Sequence, residues 1–118
     1  MLSSTFINSI RTSLVPRIMD CGIKNEEMDE SPNGTVTFTA YPVNPNHAEY
    51  FEAVAYGAGG GIMTSGRIIW GEFHVQIQMK GSNITAFIYQ SDRESAQAEE
   101  FATLDAFLER VADQLLIE

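Results

Sequence analysis

Apolar residues recur every three or four positions at the two ends of the chain and every second position in its middle. That change of period divides the sequence into elements. Phe6, Ile7, Ile10, Leu14 and Ile18 form the stripe of an amphipathic helix over residues 4–20. Ser3 or Ser4 can cap its start, and Gly22 can end it. Pro16 removes a hydrogen bond and crowds the preceding turn, so a kink or break is expected there. At the other end, Phe101, Leu104, Leu108, Val111 and Leu115 fall on one arc of a helical wheel. Ser91-x-x-Glu94 reads as a capping box, so a long C-terminal helix is expected from residue 91 onward.

Between the ends the period is two. Val36, Phe38 and Ala40 alternate with threonines, which predicts a half-buried strand from Thr35 to Tyr41. Phe73, Val75, Ile77 and Met79 alternate with Glu72, His74, Gln76 and Gln78. Gly81-Ser82 is a two-residue hairpin turn, and Asn83–Gln90 is the returning strand. This turn sets Met79 opposite Ile84, Ile77 opposite Ala86, Val75 opposite Ile88 and His74 opposite Tyr89. Gly71 is expected to mark a bulge in the strand that begins near Arg67. Residues 24–34 are charged and end in Pro-Asn-Gly, which predicts a loop with a tight turn. Residues 44–56 are ambiguous. Asn44-Pro45 favours a helix start, while the EYFEAVAY stretch can instead pair with the preceding strand as a hairpin. Helix is the favoured reading.

These elements add up to one α+β domain over residues 1–118. A small antiparallel sheet of about four strands would pack against an N-terminal helix and a long C-terminal helix. In composition and element order the chain resembles the class I chaperones of type III secretion. That resemblance carries no motif and assigns no residue.

Charge narrows the function. Sixteen acids against seven bases give a net charge of −9. Phosphate affinity comes largely from Lys and Arg, so no direct nucleic-acid binding is expected, nor binding to an anionic membrane. The acidity is concentrated in Asp20, Glu26, Glu27, Asp29 and Glu30 and again after residue 91. Asp105, Glu109 and Asp113 are spaced by four and form one row beside the C-terminal apolar stripe. Such a row is either a solvated face or a surface for a basic protein partner. With one cysteine, no leader-like segment and no apolar run of about 20 residues, a cytoplasmic chain is expected.

No nucleophile elbow, P-loop or dinucleotide fingerprint is present. No catalytic residue, metal site or cofactor is therefore assigned. The favoured reading is a non-enzymatic interaction domain, such as a chaperone, adaptor or inhibitor, with Asp105, Glu109 and Asp113 facing a basic partner. The alternative is a small-ligand binder or modest enzyme. It would use Glu72, His74 and Tyr89 on one sheet face beside the glycine run that includes Gly59 and Gly60. A homodimer through a free strand edge or an apolar helix face is left open.

Overall fold

The computed structural model describes residues 2–44, 49–57, 63–81, 83–89 and 97–117. The chain begins with α1 (Ser3–Ser9), a π-helical turn (Ile10–Leu14) and α2 (Val15–Ile18). Seven strands follow among the described residues: β1 (Ile23–Glu30), β2 (Val36–Pro42), β3 (Phe51–Gly57), β4 (Met63–Trp70), β5 (Phe73–Lys80), β6 (Asn83–Tyr89) and β7 (Ala98–Phe101). The last element is α3 (Leu104–Ile117). The strands form one antiparallel sheet in the order of the sequence, β1 to β7. Both helical segments lie on the same face of it. α1 packs on β2 and β3, and α3 packs on β6, β7 and the π turn.

The expected α+β domain with about four strands is thus corrected to a sheet-dominated fold of seven. Three segments account for the difference. Residues 24–30, expected as loop, form most of β1. Residues 51–56, part of the stretch favoured as helix, lie in β3 and pair with β2, with Phe38 opposite Ala53. Residues 98–101, expected inside the long C-terminal helix, are β7, so that helix starts at Leu104 instead. Thr103 caps it, its Oγ1 accepting from the Ala106 N–H at 3.2 Å. The proposed capping box at Ser91 and the residues at 45–48 lie outside the described residues.

The N-terminal helix shows why a sequence stripe can drift. Phe6, Ile7, Ile10 and Leu14 are buried as expected, but Ile18 is only half-buried, and Val15 and Met19 take the core positions. The Val15 N–H donates to the Ile10 carbonyl, five residues back rather than four. One extra residue in the turn retards the helix phase by about 100°. The wide turn also explains how Pro16 is accommodated. Pro16 falls in the first turn of α2, directly after the wide turn, the helical position that best tolerates its ring and its missing N–H.

Inward alternation along the strands builds one core. Val36, Phe38 and Ala40 of β2, Phe51, Ala53 and Ala55 of β3, and Val75 and Ile77 of β5 face the helices. Phe38, Phe51 and Trp70 form an aromatic chain with centroids 6.5 and 6.2 Å apart. Phe6 of α1 meets Phe107 of α3 at 6.2 Å, and Phe107 meets Phe101 of β7 edge-on at 5.7 Å. Phe6, Phe38, Phe51 and Phe107 are fully buried, and each contributes on the order of 1.5–3 kcal/mol from burial. The β5–β6 register is the one expected, with Met79, Ile77, Val75 and His74 opposite Ile84, Ala86, Ile88 and Tyr89.

Gly71 does not mark a bulge. It adopts φ +64 in a two-residue turn, Gly71-Glu72, between the paired residues Trp70 and Phe73. Gly57 has a packing role: a Cβ there would run into the backbone of Asn33 and Gly34 in the β1–β2 turn.

Candidate functional site

β1 is the first edge of the sheet. Asp and Glu are weak strand formers, so β1 exists because its neighbour and its turn hold it there. The Ser31 N–H donates to the Thr35 carbonyl at 2.8 Å, and the Thr35 N–H donates to Asn33 Oδ1 at 3.1 Å. Gly34, at φ +86, supplies the left-handed residue that closes this three-residue loop. The register then runs Glu30 opposite Val36, Met28 opposite Phe38 and Glu26 opposite Ala40. Glu26, Met28 and Glu30 therefore share the helix side of the sheet, and Asn25, Glu27 and Asp29 share the other side. A register shift at Lys24 is confined to the start of the strand. Lys24 to Glu30 are all exposed, and Met28 is 44% exposed.

The second acidic surface is on α3. Asp105, Glu109 and Asp113 all face solvent, as the spacing of four requires. They are not equivalent. Glu109 accepts from Arg17 of α2 at 3.1 Å, while Asp105 and Asp113 have no ion pair among the described residues. Arg110, on the next face, holds Glu99 of β7 in a two-nitrogen grip at 2.9 and 3.3 Å and donates to Gln114 at 3.0 Å. The cations of the N-terminal segment are divided between the acidic surfaces: Arg11 pairs with Glu26 of β1, and Arg17 with Glu109 of α3. Arg67 pairs with Glu52 at 3.4 Å. Each arginine among the described residues thus already holds one carboxylate. Glu27, Asp29 and Glu30 on β1 keep none of these pairings.

The alternative site is brought together only in part. The rings of His74 and Tyr89 stack on the open face of the sheet, with centroids 4.5 Å apart and planes 9° from parallel. Both are half-buried. Glu72 is not their neighbour on the strand. It is an exposed residue of the β4–β5 turn. Gly59 and Gly60 lie outside the described residues. Their flanks, Gly57 and Met63, pair at one end of β3–β4, whereas Ile69 opposite His74 is near the other end. His74 and Gln78 are four residues apart on β5, or about 13 Å at strand rise. The depression nearest the glycine run is lined by Tyr56, Ser65, Arg67, Gln76 and Gln78, with a volume near 230 Å³. It does not include His74. A smaller hollow of about 80 Å³ lies between Cys21, Pro42, Asn44 and Trp70. Among the described residues, no three His, Cys, Asp or Glu side chains gather around a point that could hold a metal ion.

Sequence reasoning missed β1 as a surface. A strand exposed on both faces has no apolar alternation to betray it, and the acid run itself was the only available signal. No helix among the described residues is long and apolar enough to cross a membrane. No protein-family model, no curated protein and no solved structure matches the chain, so the resemblance in element order brings no function with it.

Proposed function

We propose that this chain is a non-enzymatic interaction domain that binds a basic protein surface. The observation that carries this reading is the surplus of exposed carboxylates on β1, where Glu27, Asp29 and Glu30 pair with no cation among the described residues and every described arginine is already engaged. Glu27 and Asp29 sit on one face about 7 Å apart. In water their repulsion is about 0.6 kcal/mol, a cost that a basic partner removes. Asp105 and Asp113 form a separate acidic surface on α3, on the helix side of the sheet, whose charge would speed encounter with such a partner.

A pull-down with the full chain from source-cell lysate tests the reading. A near-stoichiometric basic protein, retained in low salt, released in high salt and lost on Glu27→Lys plus Asp29→Lys, is the expected result. Binding indifferent to both salt and charge reversal overturns it.

A second reading, small-ligand binding on the open sheet face, is favoured by the His74–Tyr89 stack and by the hollow beside Arg67. A metabolite that raises Tm for the parent chain but not for His74→Ala or Arg67→Ala would select it.

A further inference from the structure

We infer that the free edge of β1 receives an extended basic segment of the partner as an eighth strand. This rests on the interaction-domain reading above and specifies its mode. Three features of β1 support it. First, it is the terminal strand of the sheet, so the backbone N–H and C=O groups on its outer side have no strand partner among the described residues. Its residues are exposed from Lys24 to Glu30. Such a row is a template for strand addition.

Second, β1 lacks shortness and proline, and the edge protection it does carry is charge, with Glu26 and Glu30 on the helix side, which deters like copies and not a basic strand. It spans eight residues, as long as the interior strands β4 and β5, and contains no proline. Its one irregularity is at Lys24, which leaves Asn25–Glu30 in regular alternation. Edges are commonly closed by shortness, proline, a mid-strand bulge or charged side chains, and from Asn25 to Glu30 only the last of these is present. β7, the opposite edge, is short at four residues.

Third, the charge pattern selects the occupant. Laying two copies of β1 edge to edge would set Glu26, Glu27, Asp29 and Glu30 against the same acids, so a second copy of this chain does not fit. A basic strand does. Opposite Glu30 on the helix side it would carry Lys or Arg, and opposite Glu26, which Arg11 already holds, it would add a second cation to that carboxylate. Between these, opposite Met28, it would carry an apolar residue. Opposite Glu27 and Asp29 on the other side it would again be basic.

The test uses the full chain and a blocked decapeptide whose core reads Lys-Arg-Val-Lys-Arg-Thr, which places valine opposite Met28 in antiparallel pairing. Three further peptides are compared: one N-methylated at alternate core residues, one N-methylated at the intervening residues, and one with valine moved by one position. N-methylation removes backbone donors and keeps the charge. The parent peptide should bind at low salt and perturb the amide resonances of residues 23–30. One of the two methylated peptides should bind at least tenfold more weakly than the parent, the other nearly normally, and the shifted peptide should bind more weakly than the parent. Glu27→Lys plus Asp29→Lys should abolish binding. Equal binding of the parent and both methylated peptides, or amide shifts centred on α3, overturns strand addition while leaving a charge-driven interaction domain intact. Failure of every peptide to bind overturns strand addition too. The lysate experiment then decides the broader reading independently.

Discussion

Arg17, on the short helical segment α2, reaches Glu109 in the centre of the α3 acidic row at 3.1 Å, across 92 positions of sequence. The row is therefore part scaffold and part free surface. Its middle carboxylate ties the two helical ends of the chain together, and its outer two do not.

Charge reversal should separate these roles. Glu109→Lys replaces an attraction with a repulsion at a half-exposed pair and should cost about 0.5–1 kcal/mol. Asp105→Lys plus Asp113→Lys removes like-charge neighbours and should leave stability within about 0.5 kcal/mol of the parent. Thermal melts of the two variants, side by side, check the difference. An equal Tm for both would show that the Arg17 contact contributes nothing.

The contact between Phe6 and Phe107 carries more. Both side chains are fully buried, and Phe107 also meets Phe101 edge-on. Phe107→Ala should cost about 3–5 kcal/mol, a large share of the 5–15 kcal/mol typical of a domain. Urea unfolding should show a lower midpoint at an unchanged m-value.

Gly57→Ala tests the close approach of β3 to the β1–β2 turn. The backbone of Asn33 and Gly34 lies where the new methyl group would go, and backbone cannot swing aside as a side chain can. A loss of about 1–3 kcal/mol is expected. Ser65→Ala, a half-buried position on β4 facing the open side, should stay within about 0.5 kcal/mol. Denaturant midpoints for the pair provide the comparison.

The π turn predicts a coupled pair of changes. Deleting Ser13, an exposed residue of that turn, should convert it to an ordinary α-turn while keeping Val15 and Met19 in phase with the core. Pro16 would then sit in a helix interior and cost about 3 kcal/mol. Adding Pro16→Ala to the deletion should restore most of the loss, which circular dichroism melts of the single and double variants would reveal.

The sequence made the β5–β6 hairpin readable down to its pairing. A glycine-first turn fixed the register, and a period of two on one buried face left no competing arrangement. β1 was hidden for the opposite reason. As an edge strand buried on neither face it carries no alternation, and its conformation is imposed by β2 and by the Ser31–Thr35 turn. β7 was misread because Ala98, Glu99 and Glu100 favour helix locally. Pairing with β6 and the grip of Arg110 on Glu99 override that preference. β3 followed the hairpin alternative because Phe51, Ala53 and Ala55 complete the face that α1 covers. Of the site residues, the exposure of Asp105, Glu109 and Asp113 was legible from their spacing alone. The involvement of Glu109 with Arg17 was not, since it depends on how two distant helices meet.

Because each strand pairs only with its neighbours in sequence, the sheet can grow hairpin by hairpin, closing no long loop on the way. The meeting of Phe6 with Phe107 is different: it spans nearly the whole chain and must pay the entropy of that closure. Refolding should therefore run in an order fixed by topology. The sheet should form first through short-range pairings, and the helical clasp over its face should engage late, as the latch that excludes water from the core.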